Sequence, residues 1–233
     1  MSIWKKISDA IGRVASRGSL ADLFSAATPP EKTVAFTVAV IALGAKLAKA
    51  DGRVTRDEVD AFKEVFFIAP EEERNAARVF DLARADVAGF ESYAHKIRGM
   101  FDASEDKATL EDILDGLFRI AGADGVYDPN ELEFLSAVAG IFDISDGCFE
   151  RLHARHDPAL GGDPYKLLGV TRETPIEEIK QIWRDVVRET HPDRMMARGV
   201  PEEAVRMATE RLAVLNAAYE RIRAEHRPLT SPE

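Results

Sequence analysis

The sequence predicts an all-α protein of two domains, the first built on an internal repeat and the second on a helical hairpin. Three observations carry this prediction. Apolar residues recur at three- and four-residue spacing along nearly the whole chain, and the β-branched alternation that marks strands is absent. A block of ten residues occurs twice, at an offset of 73. Charge is also unevenly spread: residues 163–227 hold twelve Lys/Arg and twelve Asp/Glu, so the formal charge of −10 falls entirely on the remainder of the 233 residues.

The elements follow in order. Ile3, Trp4, Ile7, Ile11 and Val14 share one face of a terminal helix flanked by Lys5, Lys6 and Arg13. Such a helix packs back on the main domain or, alternatively, lies on an anionic membrane surface. Residues 1–29 are read as this helix and a loose connector, and residues 30–155 as the first domain. The apolar run Thr33–Ala45 is 13 residues long, short of the roughly 20 needed to span a bilayer, and so reads as a buried helix. The block Ala45–Val54 recurs as Phe118–Tyr127, each copy followed at equal distance by Glu58 or Glu131. Two similar helical pairs with approximate twofold symmetry are the simplest outcome. Further helices begin near Pro70, Gly89 and Ser104, and a last one at Ser145–Arg155 carries Phe149 and Leu152.

Residues 156–162 contain one proline and a glycine pair and form the predicted linker. The second domain, 163–227, holds three helices. Asp163-Pro164 starts a short one, with Asp as cap and Pro in the first turn. Thr174-Pro175-Ile176-Glu177 has the form of a capping box opening the second, which ends before Pro192. Pro201 opens the third, which runs to about Glu225, and the tail 228–233 frays.

Composition narrows the function. The negative net charge argues against nucleic-acid binding. Cys148 is the sole cysteine, so neither an intrachain disulfide nor a cysteine-based zinc site can form. With no apolar signal segment in Met1–Ala27, the expected location is the cytoplasm, with peripheral contact at the inner membrane through residues 3–14 as the alternative.

The sharpest motif is His191-Pro192-Asp193. Ile179, Ile182, Trp183 and Val186 share one face of the preceding helix; Leu212, Leu215, Tyr219 and Ile222 share one face of the following helix. Two antiparallel helices joined along these stripes, closed at one end by Leu167 and Leu168, leave the tripeptide in an exposed loop at the tip. No nucleophile lies nearby in sequence and an open turn does not exclude water, so the motif does not read as catalytic. Lys180, Arg184 and Arg188 lie four residues apart and form one basic ridge on the second helix.

Three blocks, Tyr165–Val170, Ile179–Arg184 and Arg211–Tyr219, surround the tripeptide in an order and spacing that resemble a DnaJ-type J domain. The resemblance implies a core of Tyr165, Leu168, Ile179, Trp183, Leu212, Leu215 and Tyr219. It implies a DnaK-type ATPase chaperone as partner, contacted by His191, Pro192 and Asp193 and, through an acidic patch, by Lys180, Arg184 and Arg188. Asp185 and Glu189 stand where members of that family often carry lysine. The chain lacks Gly/Phe-rich and Cys-rich zinc segments, which leaves targeting or contact with an unidentified client to the N-terminal region.

The repeated Ala-Asp-Gly blocks admit two uses. Asp51, Glu58, Asp124 and Glu131 could ligate a divalent cation through oxygen. Alternatively, Gly52 and Gly125 stop helices, while Thr55–Glu58 and Asp128–Glu131 cap the next ones. These blocks resemble a TerB-like (tellurite-resistance-type) domain, and the order TerB-like then J domain resembles the DjlA class of DnaJ-like co-chaperones. The resemblance implies a protein that stimulates ATP hydrolysis by its partner, is not itself an enzyme and needs no cofactor. The rival expectations are a binding scaffold that does not stimulate, and a metal-responsive stress protein acting through the first domain.

Overall fold

The computed structural model describes residues 31–49, 55–66, 68, 70–85, 89–101, 106–156 and 163–226; the expected N-terminal helix Ile3–Val14, Asp51 and Gly52 lie outside them. Eleven α-helices and no strand occur among the described residues.

The first helix, α1 (Glu31–Leu47), is enclosed on all sides, because nearly every residue from Ala35 to Ala45 is apolar or small. Phe36, Ile41, Leu43 and Leu47 are at most 1% exposed. Around it pack α3 (Glu73–Ala85), α4 (Phe90–Arg98) and α5 (Lys107–Ala121). The helix α2 (Arg56–Val65) lies along α5, and Gly44 lets α1 approach it: a Cβ there would sit 2.7 Å from the Phe62 ring.

Both predicted capping boxes form. Thr55 accepts from the Glu58 amide and Glu58 accepts from Thr55 N–H at the start of α2. Asp128 and Glu131 repeat the arrangement at the start of α6 (Pro129–Ile141), 73 residues on. The preceding helix ends differently from the expectation. α5 stops at Ala121 with Gly122 as its cap, and the left-handed conformation falls three residues later, at Gly125 (φ +85°), within the turn. The last helix of this unit, α7 (Asp146–His156), buries Cys148 and Leu152 against α5.

The second unit contains α8 (Pro164–Leu168), α9 (Ile176–Glu189), α10 (Pro192–Ala197) and α11 (Glu202–Glu225). Asp163 caps α8 by accepting from Tyr165 N–H, and Gly169 ends it at φ +70°. The predicted capping box at Thr174 does not form. Pro175 occupies the cap position without a side-chain bond, so Thr174 lies one residue too early. Its hydroxyl instead accepts from Thr171 N–H at 3.1 Å and closes the preceding turn.

The long helix α11 serves two cores. Its C-terminal half places Leu215, Ala218, Tyr219 and Ile222 with Tyr165, Leu168 and Ile179, and Trp183 and Val186 pack on that cluster. Its N-terminal half sends Ala204, Val205, Met207 and Ala208 into the core of the first unit, in a cluster that also contains Met195 and Val200. Leu212 lies between the two, half-buried and in neither core. Gly116 on α5 admits this packing, since a Cβ there would meet Met207 Cε at 2.7 Å and Val65 Cγ1 at 3.0 Å.

Candidate functional site

The tripeptide His191-Pro192-Asp193 is not an irregular loop. His191 caps α10, its Nδ1 accepting from Asp193 N–H at 3.2 Å, while its carbonyl accepts from Arg194 and Met195 N–H. Pro192 occupies the first helical position, where its fixed φ and missing N–H cost nothing. With Nδ1 accepting, the neutral ring carries its proton on Nε2, which has no partner among the described residues. The His191 and Asp193 side chains are 50% and 81% exposed, Nδ1 lying 3.8 Å from Asp193 Oδ2. Buried Thr190 fixes the entry to the turn by donating its hydroxyl to Val186 C=O at 2.8 Å. Gly199 (φ +74°) allows the exit.

A groove of about 290 Å³ adjoins the turn, lined by Trp183, Arg184, Val187, Arg188, His191 and Arg194. Trp183 is immobilised at its floor: the indole stacks on Tyr219 at 4.4 Å between centroids and donates Nε1–H to Asn216 Oδ1 at 2.8 Å. Arg194 is not among the residues the sequence points to here. It donates to Arg188 C=O at 3.0 Å, which draws its guanidinium back across the end of α9. The signal for it is Pro192 read as a helix start, which puts Arg194 in the first turn of α10 instead of in a loop.

The ridge is partly neutralised. Lys180 pairs with Glu177 at 3.6 Å, and Arg188 pairs with Asp185 at 2.8 Å, Asp185 also accepting from Gln181. Arg184 has no ion pair among the described residues. The surface beside the turn is therefore an apolar floor with arginines at its margin, able to receive an acidic and aliphatic segment but holding no nucleophile and no closed pocket.

The two units meet through charged side chains, largely buried at Arg211, Arg155 and Arg198 and exposed at Arg119. Arg211 donates to Asp112 Oδ1 at 2.7 Å and to Glu111 Oε2 at 3.2 Å. Arg155 donates to Asp115 Oδ1 at 2.7 Å and to Leu167 C=O, and His156 Nε2 lies 2.9 Å from the same Asp115 oxygen. Arg198 approaches Asp106 at 3.4 Å, and Arg119 links Glu210 to Glu64. Burial pushes the Asp112 carboxyl up to about 6, against the pull of Arg211. For Asp115, burial is outweighed by Arg155 and His156, and its carboxyl is held well below the usual range. Arg211 is raised by its carboxylate neighbours despite burial, so it stays charged.

Of the four acids considered for a cation, the three among the described residues serve the backbone. Glu58 and Glu131 are buried in their capping boxes, and Asp124 accepts from Val126 N–H at 3.0 Å. No group of three or more His, Cys, Asp or Glu among the described residues could hold a metal ion. The first unit does contain an apolar cavity of about 170 Å³ beside Val59, Phe62, Ile68 and Phe80. No helix among the described residues is long and apolar enough to cross a membrane.

Comparison with known proteins matches residues 37–154 to the family Tellurite resistance protein TerB and residues 163–227 to the DnaJ domain. The co-chaperone protein DjlA of Photobacterium profundum is 28% identical over 225 residues, covering 85% of this chain and 80% of that protein. The DjlA of Coxiella burnetii is 28% identical over 197 residues, covering 76% and 72%. That of Shewanella oneidensis is 38% identical over 63 residues, covering 27% and 24%. No solved structure gives a significant match. Half of the chain is matched by one family and its C-terminal part by another: the chain belongs to the TerB family, carries a DnaJ domain and is a DjlA-like protein.

Proposed function

We propose that this protein binds a DnaK-type chaperone through the His191-Pro192-Asp193 turn and its groove and stimulates the chaperone's ATP hydrolysis. One observation carries the reading: an exposed histidine and aspartate, held in a capped helical turn, adjoin an arginine-margined apolar groove within a DnaJ domain. Its role is regulation of a partner ATPase. Stimulation requires tighter binding to one chaperone state than to another, and the turn and groove provide that contact. Lys180, Arg184 and Arg188 add attraction at a distance, which mainly sets the rate of encounter. The TerB domain supplies targeting or client contact; its apolar cavity supports the second of these.

Single-turnover ATP hydrolysis by DnaK tests the reading. The wild type should accelerate hydrolysis, and His191→Gln should abolish the acceleration with the fold unchanged by circular dichroism. An unaltered rate in the folded variant would sink the assignment.

A further inference from the structure

In a J domain standing alone, the turn would be held only by its own two long helices. Here the half of the hairpin nearest the turn is covered by the TerB domain. Following the chain from Asp193, Met195 is 1% exposed, Arg198 approaches Asp106 at the N-cap of α5, and Val200 and Pro201 are buried. Ala204, Val205, Met207 and Ala208 then join the TerB core. Arg211, one turn further on, grips Glu111 and Asp112. Over the same stretch α9 offers α11 less: Ile182 and Val186 are only half-buried and line a cleft of about 300 Å³ shared with Glu111, Arg151, Arg155 and Arg211. The self-contained core of the J domain lies at the far end, around Tyr165, Ile179 and Ile222.

We infer that the TerB domain is part of the chaperone-docking turn: it positions His191-Pro192-Asp193 through Met195, the Arg198–Asp106 pair and the N-terminal half of α11. Met195 and Arg198 are positioning residues that act through α10 and touch no partner themselves. The consequence for activity rests on the chaperone reading above. A loosened turn still contains every contact group, so a chaperone binds it after selecting the ordered conformer. Apparent affinity then falls by the fraction ordered, while the maximal rate is kept.

The test uses the full chain with Met195→Ala, and Gly116→Leu as an independent wedge from the TerB side. Backbone amide exchange is followed at Asp193, Arg194 and Met195, whose N–H groups bond back to His191. Exchange there should accelerate about tenfold or more, with Ile179, Leu215 and Tyr219 unchanged. In the ATPase assay, the concentration for half-maximal stimulation should rise about five- to tenfold at an unchanged maximum. Met195→Leu, which conserves volume, should restore both.

Unchanged exchange at the turn would overturn the inference, whatever the chaperone does. So would acceleration that extends to Ile179, Leu215 and Tyr219, since that is unfolding of the J domain. If the turn loosens as expected but the wild type never stimulates DnaK, the chaperone reading fails while the positioning role stands.

Discussion

Replacing Arg211 with methionine should cost more than any exposed substitution, and the cost should depend on pH in a calculable way. The guanidinium neutralises Asp112, which is 1% exposed at the side chain, and Glu111. Removing one partner of a buried pair typically costs about 3–5 kcal/mol. Protonation of Asp112 sets a ceiling on its share of that loss. A carboxyl with an ordinary value of 3.8, forced to carry a proton at pH 7, costs roughly 4.4 kcal/mol, and at pH 5 only about 1.6 kcal/mol. The wild type already bears about 3 kcal/mol of this at neutral pH, because its carboxyl is pushed up to about 6. That leaves at most about 1 kcal/mol more for Asp112 to lose at pH 7 and almost nothing at pH 5. We therefore expect Arg211→Met to lose about 3 kcal/mol at pH 7 in urea unfolding, the remainder through Glu111 and lost packing, and about 1 kcal/mol less at pH 5. Asp112→Asn combined with Arg211→Met should recover a large part of the loss at pH 7. A loss below about 1 kcal/mol, or one equal at both pH values, would refute the view that Arg211 compensates a buried carboxylate.

Further expectations are open to direct measurement. Asp112 and Asp115 give opposite pH arms: the depressed Asp115 stabilises the fold above its unfolded value and is lost as pH falls below about 4, whereas the raised Asp112 makes stability fall as pH rises from about 4 to 6. Asp112→Asn should remove the second arm alone, as read from unfolding midpoints across that range. Asp185→Ala frees Arg188 and should speed association with the chaperone at low salt, with little difference at high salt and a stability change within about 0.5 kcal/mol. Gly140→Ala, helical with open space at the Cβ, should stabilise by about 0.5–1 kcal/mol. Gly125→Ala has the same free space but a φ of +85°, so thermal unfolding should instead show a loss of about 1 kcal/mol.

What can be read from the sequence is what is local. The two capping boxes depend on four adjacent residues each, so Thr55–Glu58 and Asp128–Glu131 are recognisable without knowledge of the fold. The box expected at Thr174 misleads because Pro175 shifts the helix start by one residue. Pro192 reads as the end of one helix, which it is, and not as the start of another, which hides α10 and with it Arg194. The division of α11 is not legible at all. Its periodicity shows which side is apolar, but the same stripe continues from Val205 to Ile222 although its cover changes from the TerB domain to the J-domain hairpin. Asp112 and Arg211 look like ordinary surface residues in sequence, because only the close approach at Gly116 turns their faces inward.

The enclosure of α1 also bears on how the chain is made. This helix leaves the ribosome before the segments that cover it, α3 to α5 and finally the start of α11 at Glu202. Until those arrive, an apolar helix with no polar side stands open to water and to neighbouring chains, the condition under which nascent proteins aggregate. A protein that carries a DnaJ domain thus begins its own life as the kind of segment that chaperones hold.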